Sequence, residues 1–268
     1  MSAPPAPVAV VTGANRGIGR AITVALAAAG YTVAASARDP AGLDATVAAA
    51  AAAAAAATAD QAGGIAVPVA CDVCDEASVA DLADRAGQLG PVRVVVANAG
   101  IAGPTAPLHQ IALADWRETI ATDLDGVFLT FRAFIPAMVE RRGGSLIAIS
   151  SMTGKRPLYG RTPYAAAKMG VIGLVRTLAT ELGPHGIRVN AVCPGPVSGP
   201  RIEQVIARQA EARGITAEQA RAEMDSLSPL RRMVTAEEVA AACVFLASDG
   251  SASITGEDLN VAAGVVMY

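Results

Sequence analysis

Aromatic and charged side chains are scarce in this sequence of 268 residues. Aromatic residues make up 3% of the chain and charged residues 17%, against 53% hydrophobic residues. This balance excludes intrinsic disorder, and it predicts a folded core of Ala, Val, Ile and Leu. The net charge of −3 leaves no basic field that would attract nucleic acid. We expect one folded domain over residues 1–268.

Long apolar runs, export signals and cysteines are also lacking. No stretch of about 20 strongly apolar residues is free of charge, glycine and proline, so no membrane span is predicted. The first seven residues lack the basic and apolar regions of a signal peptide, and four cysteines are too few for a disulfide framework. Cys71 and Cys74 form a CxxC pair, but both histidines lie far away in sequence, so we expect no metal site. These features predict a cytoplasmic protein.

Short β-branched runs alternate with Ala-rich helical stretches along the chain. Such alternation is typical of a parallel sheet with crossover helices on both faces. The predicted strands are 8–12, 32–36, 66–71, 92–97, 146–150, 188–193 and 258–261. The predicted helices are 20–30, 43–59, 79–89, 163–182 and 236–247, and the alanine run 48–57 falls within the second of them. The sequence therefore predicts a single-domain α/β fold of the Rossmann type, with a doubly wound parallel sheet.

One insertion, at about 196–235, interrupts this alternation. It contains two amphipathic helical patterns, at 201–213 and 217–226, directly after the end of a predicted strand. Ligands of doubly wound sheets bind beyond the carboxyl ends of the strands, so extra helices there favour a helical substrate lid. A contact between subunits is the alternative.

A glycine-rich turn joins the first predicted strand to the first helix. Its glycines Gly13, Gly17 and Gly19 permit a tight turn and a close approach of the backbone to a pyrophosphate. The N-terminus of the following helix offers free N–H groups and a positive dipole to the same anion. We therefore expect a dinucleotide site, built by Gly13, Asn15, Arg16, Gly17, Ile18 and Gly19.

Two further motifs accompany this turn. Asn98-Ala99-Gly100 follows the fourth strand, and Tyr164 and Lys168 enclose three alanines at the start of a helix. With the glycine spacing, these motifs resemble the short-chain dehydrogenase/reductase family over residues 8–264. The resemblance implies an NAD(P)-dependent oxidoreductase acting on a ketone or secondary alcohol, with Asn98, Ala99 and Gly100 at the cofactor. It also implies a homotetramer or homodimer, for which the apolar runs 127–139 and 169–182 would suit the interfaces.

The candidate catalytic residues follow from chemistry and from this resemblance. Tyr164 and Lys168 are four residues apart on one helix face, so the ammonium can favour the ionised phenol of a general acid or base. The family also uses this lysine to bind the nicotinamide ribose. Ser151 lies at the offset of the family's serine, which favours it over Ser150 as the group that contacts the substrate oxygen.

Asp123 departs from the family pattern, in which an asparagine holds a water in a proton relay to the lysine. A carboxylate can accept the hydrogen bonds of that water but cannot donate an amide hydrogen bond. Its charge favours protonated Lys168 and opposes ionised Tyr164. We expect the relay to survive with a more basic pH optimum.

Cofactor choice is set at the end of the second strand, where an acidic residue would bond the ribose 2′-hydroxyl. Ala37 occupies that position, and Ser36, Arg38 and Arg16 lie near it, which suits a 2′-phosphate. We therefore expect NADP(H). NAD(H) is the alternative, because Asp39 could turn toward the ribose or pair with Arg38.

Other cofactor contacts are implied by the resemblance alone. Asp72 and Val73 match the pair that meets the adenine ring, and Pro194, Gly195 and Val197 match the segment that orients the nicotinamide amide. Gly199 stands where that segment has a threonine, and Ser198 is its candidate replacement.

The identity of the substrate is what the sequence determines least. We expect Ser151, Met152, Tyr159 and Tyr164 to line its site, and Lys155, Arg156 and Arg161 could attract an anionic group there. Those cations could instead face solvent, and the insertion's arginines, Arg201, Arg208 and Arg213, each have a glutamate in the helix with which to pair. The function predicted is NADP(H)-dependent hydride transfer between the nicotinamide and a small or medium ketone or secondary alcohol. An NAD-linked alcohol dehydrogenase and a nucleotide sensor without turnover are the alternatives.

Overall fold

The computed structural model describes residues 6–56 and 63–268. Its strands are β1 Val8–Thr12, β2 Thr32–Ala37, β3 Ala66–Ala70, β4 Val92–Ala97, β5 Gly144–Ile149, β6 Ile187–Pro194 and β7 Asp258–Val261. They form one parallel sheet in the order β3-β2-β1-β4-β5-β6-β7. The predicted doubly wound α/β fold is confirmed.

Helices cover both faces of this sheet. They are α1 Gly17–Ala28, α2 Asp44–Ala56, α3 Glu76–Leu89, α4 Leu113–Ile120, α5 Gly126–Arg141, α6 Met152–Lys155, α7 Thr162–Leu182, α8 Pro200–Arg213, α9 Ala217–Ser226 and α10 Ala236–Ala247. The predicted end of the second helix at 59, and of the alanine run at 57, lies outside the described residues.

The strands divide the core into two layers because successive strand residues face opposite sides of a sheet. In β1, Val8 and Val10 pack with α3, α5 and α7, whereas Ala9 and Val11 pack with α1, α2 and α10. All these strand residues are fully buried. Near-continuous apolar strands of this kind are what a sheet covered on both faces requires.

The insertion between β6 and α10 forms the two helices α8 and α9. They pack around a small apolar cluster of their own, made by Ile206, Ala210, Ala220 and Met224. The two ends of the insertion meet, because Val197 pairs with Val234 in a parallel bridge. Its role as a substrate lid stays a prediction.

No helix of the described ranges is both long enough and apolar enough to cross a bilayer.

Candidate active site

The glycine loop turns sharply between β1 and α1. Gly13 and Gly17 have φ angles of +67° and +53°, which only glycine adopts without strain. A Cβ on Gly19 would collide with the carbonyl oxygen of Gly13, so the helix begins directly against the loop. Arg16 occupies the N-cap position of α1 without a side-chain cap, and the first turn carries no acidic residue. The loop therefore fits a dinucleotide pyrophosphate, which would meet uncapped N–H groups.

Side chains outside the glycine motif hold this loop in place. Asn98 Nδ2 donates to the carbonyl oxygens of Thr12 at 2.8 Å and Gly13 at 3.2 Å. Thr12 Oγ1 in turn accepts the N–H groups of Asn98 and Ala99, both at 3.0 Å. The side chain of Asn98 thus supports the loop rather than facing outward. Thr12 is a structural residue of the site that the motif spacing does not reveal, although a threonine at a strand end before a glycine is the available signal.

The end of β2 presents one free cation. Ala37 is buried and Arg38 is exposed, with no ion-pair partner in the described part of the chain. Asp39 Oδ1 accepts the N–H of Ala41 at 3.0 Å and so caps the short helical turn Pro40–Leu43. The ion pair between Arg38 and Asp39 does not form. Ser36 lies 1% exposed with its hydroxyl buried, and its carbonyl accepts the N–H of Ala14 at 2.9 Å.

The segments expected at the adenine and nicotinamide ends of the cofactor are held by backbone contacts. Asp72 Oδ1 accepts the N–H of Cys74 at 3.0 Å, and Val73 is buried. Gly195, directly after Pro194, lies so close to β7 that a Cβ there would come within 2.8 Å of Ala262 Cα.

Ser198, the candidate replacement for the family's threonine, is engaged within the protein. Its hydroxyl donates to the carbonyl oxygen of Val234 at 3.2 Å, beside the bridge between Val197 and Val234. Gly199 then begins α8 with a φ of +138°. The replacement stays a prediction.

Tyr164, Lys168 and Ser151 lie where β5 meets α7. Lys168 is 3% exposed, and its Nζ donates to the carbonyl of Ile149 at 3.0 Å and lies 5.6 Å from the centroid of the Tyr164 ring. Ser151 is the N-cap of α6, and its Oγ accepts the N–H of Thr153 at 3.1 Å. Ser150 Oγ instead donates to the carbonyl of Lys168 at 2.8 Å, so it serves the scaffold.

Asp123 lies beside this group, in a π-helical turn spanning Ala121–Asp125. It is fully buried, and its Oδ1 accepts the N–H of Ile101 at 2.7 Å. Its Oδ2 is 3.8 Å from Lys168 Nζ and has no hydrogen-bond partner among the described residues. The carboxylate thus stands at ion-pair distance from the lysine. The π turn, a feature frequent at functional sites, has no signal in the sequence pattern.

Arg161 is a member of this site whose burial was not anticipated. Its side chain is 4% exposed, and its Cζ lies 4.7 Å from the centroid of the Tyr164 ring, a cation–π contact. Arg161 Nη2 donates to the carbonyl of Ala102 at 2.6 Å. Burial lowers the pKa of this guanidinium from its usual value.

The other cations of the same segment behave differently. Lys155 Nζ lies 2.9 Å from Asn260 Oδ1 and 3.5 Å from Asp258 Oδ1. It is therefore neutralised at β7 and does not face the substrate side. Arg156 is partly exposed.

Two arginines of α8 correct an expectation from the sequence. Arg201 and Arg208 do not pair with glutamates of their helix: each donates through Nη1 at 3.3 Å, to the carbonyls of Gly100 and Gly103 respectively. The reason is helical geometry, because residues seven apart share a face and this face is turned toward the loop after β4. Arg213 does find a glutamate, but in α9, where Glu223 Oε2 is 2.7 Å away.

Met152 and Tyr159, both expected to contact the substrate, differ in solvent exposure. Met152 is 8% exposed, whereas Tyr159 is 52% exposed and lines a cavity of about 430 Å³. Its other walls include Thr105, Pro107, Gln110 and Arg208. This cavity opens between the loop after β4 and helix α8.

A metal centre is not formed by the residues described, which contain no cluster of three or more His, Cys, Asp or Glu side chains placed to hold an ion. Cys71 is buried and Cys74 exposed, and both are free thiols.

Comparison with known proteins identifies the family. A family model described as enoyl-(acyl carrier protein) reductase matches residues 13–266. The chain is 38% identical over 260 residues to (3R)-3-hydroxyacyl-CoA dehydrogenase of Rattus norvegicus, covering 97% of this chain and 96% of the relative.

Two solved structures have the same fold. An actinorhodin polyketide ketoreductase with NADPH superposes with a TM-score of 0.89 at 32% identity, covering 100% of both chains. An NAD⁺-bound xylitol dehydrogenase superposes with a TM-score of 0.88 at 26% identity, covering 96% of this chain and 98% of the other. The resemblance seen in the sequence motifs is confirmed: the chain belongs to the short-chain dehydrogenase/reductase family and is an NAD(P)-dependent oxidoreductase.

Proposed function

We propose that this enzyme uses NADP(H) to interconvert a ketone and a secondary alcohol, with Tyr164 as the general acid or base. The observation that carries the proposal is the group of half-buried Tyr164 and buried Lys168 and Asp123 at the carboxyl edge of the sheet, beside Ser151. Charged side chains are rarely buried without a functional reason, and two of these three are at most 3% exposed. A nucleotide sensor without turnover would not need them.

Tyr164 gives its phenol proton to the carbonyl oxygen during reduction and takes it back during oxidation. The Lys168 ammonium, held by the carbonyl of Ile149, stabilises negative charge on the phenol oxygen. Ser151 binds the same substrate oxygen. Because Ser151 Oγ already accepts the N–H of Thr153, its own hydroxyl hydrogen is free to be donated.

Asp123 extends the proton path from Tyr164 and Lys168 by one further group. Its unpaired Oδ2, 3.8 Å from Lys168 Nζ, is placed to accept a hydrogen bond from a bridging water. This path would resupply Tyr164 after each turnover.

The cofactor would bind along the glycine loop and supply or accept the hydride at the substrate carbon. Gly13, Gly17 and Gly19, with the uncapped N-terminus of α1, would hold the pyrophosphate. Arg38 supports NADP(H), because it is exposed and unpaired in the described structure, while Asp39 is occupied as a helix cap. Arg16 is also exposed, and it is the N-cap residue of α1.

A fluorescence titration with NADPH and, separately, NADH tests this cofactor assignment. We expect NADPH to bind at least about tenfold tighter, since a charge-assisted hydrogen bond contributes about 1.5–3 kcal/mol. Arg38→Gln should abolish that preference. Arg85→Gln, which removes a surface arginine paired with Asp81, is the matched control and should keep it.

Each contrary result has a distinct meaning. Tighter binding of NADH would favour the alternative, an NAD-linked alcohol dehydrogenase with the ribose held by Asp39 or the backbone. Binding of neither cofactor would refute the proposed function.

A further inference from the structure

Three arginines converge on one short segment beside Tyr164. Arg161, Arg201 and Arg208 donate to the carbonyls of Ala102, Gly100 and Gly103 respectively, so three guanidiniums surround residues 100–103. None of them forms an ion pair with a described residue, whereas Arg213 and Arg221 of the same insertion each have a glutamate. Glu211 lines the same cavity as Arg208 without reaching ion-pair distance. The local charge is therefore positive, and no ion pair with a described residue compensates it.

Arg161 is the buried member of this cluster. Its Nε is buried and has no acceptor among the described residues. A buried donor without a partner costs about 1–3 kcal/mol, and more when it is charged. A cost of this kind is offset when a ligand supplies the missing acceptor.

Arg161 forms no ion pair of its own with a described residue, although burial, which lowers its pKa, is partly opposed by the charge of Asp123. Asp123 is the only buried carboxylate among the residues described, and it lies 3.8 Å from Lys168 Nζ. Two buried cations thus share one buried carboxylate, which leaves one positive charge in excess. That excess is adjacent to the ring of Tyr164.

The position of Arg161 limits the distance between an anion bound to its guanidinium and the carbonyl carbon that reacts. Its Cζ is 4.7 Å from the Tyr164 ring centroid, so a group bound there lies close to the carbonyl that Tyr164 protonates. In a 3-oxo acid the carbonyl and carboxyl carbons are separated by two bonds of about 1.5 Å each. The phosphate groups of a thioester carrier are many bonds further away, and the thioester itself is neutral.

We propose that the substrate is a short oxo acid whose free carboxylate pairs with Arg161. This inference rests on the proposed function, because it concerns the substrate of the same site. Carboxylate is the anion that a guanidinium binds with two parallel hydrogen bonds, and Arg161 has donors to spare. Arg201 and Arg208 add positive charge on the side of the cleft formed by α8 and attract the same anion.

A matched pair of substrates tests the proposal. Acetoacetate and its methyl ester carry the same reacting carbonyl, but the ester lacks the negative charge and adds one methyl group. We expect a kcat/KM for acetoacetate at least about tenfold higher than for the ester, the size of one charge-assisted hydrogen bond. Arg161→Gln should remove that preference by lowering the value for acetoacetate alone, while Arg213→Gln, a surface control, should leave both values unchanged.

Binding without turnover gives a second readout. Acetoacetate cannot be reduced in the presence of oxidised cofactor, so calorimetry then reports its affinity alone. We expect the affinity to fall about tenfold or more in Arg161→Gln. Arg161→Lys, which keeps the charge but not the two parallel donors, should lose less, and it preserves the test if the glutamine variant does not fold.

Several outcomes would overturn the inference. Equal use of acid and ester by the wild-type enzyme would do so, and so would an equal loss for both substrates in Arg161→Gln with a shifted pH profile, because Arg161 would then act through Tyr164. Turnover of neutral ketones but of neither test compound would overturn the inference and leave the proposed function intact. Failure to reduce any ketone with either cofactor would instead refute the proposed function.

Discussion

We expect the charge on Asp123 to influence proton transfer by Tyr164, and Asp123→Asn removes that charge while keeping the side chain's shape. The asparagine oxygen can still accept the N–H of Ile101, so the π-helical turn should persist. The carboxylate and the Lys168 ammonium are 3.8 Å apart, and their side chains are 0% and 4% exposed. At an effective dielectric constant of about 20, two unit charges at that distance attract each other by ~4 kcal/mol.

The direction of the effect follows from the sign of the charges. A carboxylate behind Lys168 weakens the positive field that stabilises an ionised phenol on Tyr164. Removing it makes the ionised phenol easier to form, so alcohol oxidation, which needs that form as the base, should reach its plateau at lower pH. We therefore expect the profile of alcohol oxidation to move to lower pH in Asp123→Asn.

The assay is the pH dependence of kcat/KM for alcohol oxidation, from mildly acidic to alkaline pH. Asp125→Asn is the matched control, since Asp125 ends the same turn but is exposed, and its profile should match that of the wild type. An unmoved profile in Asp123→Asn would show that the carboxylate is not coupled to Tyr164, and a displacement to higher pH would reverse the reasoning about its charge.

Three further predictions concern the scaffold. Asn98→Ala should weaken cofactor binding about tenfold in a fluorescence titration, because the carbonyls of Thr12 and Gly13 lose the amide that holds the loop; unchanged affinity would contradict this. Phe128→Glu, which charges a side chain 46% exposed on α5, should dissociate a homotetramer, as measured by light scattering, whereas a wild-type monomer would contradict the assembly. A thiol reagent should label Cys74 first, and faster as pH rises, since Cys74 is exposed, whereas Cys243 is fully buried and its burial raises its pKa to about 12; early labelling of Cys243 would contradict its burial.

Much of the fold could be predicted because the periodicity of hydrophobic residues and the local composition are signals carried by each segment itself. Strand β4 was predicted at its observed bounds, and β1, β7, α9 and α10 likewise, since apolar β-branched runs and capped helices carry their own boundaries. The residues Tyr164, Lys168 and Asp123 were also predicted to lie together, because motif spacing places them on known elements.

The remainder depends on contacts between distant segments, which spacing does not encode. Arg201 and Arg208 were expected to pair within α8, but the face they share is turned toward residues 100–103 by the packing of the insertion. Arg161 could not be distinguished in sequence from Lys155, six residues earlier, although one is buried at Tyr164 and the other is neutralised at β7. The side chain of Asn98, which was expected at the cofactor, donates to the carbonyl of Thr12 beside the glycine loop, and its contact with the cofactor stays a prediction.

The two ends of the insertion pair with each other, so the insertion is a self-contained segment of the fold. Residues 197 and 234 pair directly, so the chain leaves and re-enters the sheet domain at one point, and the two helices between them carry a separate apolar cluster. A segment anchored in this way can be lengthened, shortened or exchanged between paralogues without altering the register of any strand. We therefore expect that its arginines can be exchanged while Tyr164 and Lys168 of α7 keep their positions, and grafting the segment 198–233 onto another member of the family tests whether this segment sets the substrate range.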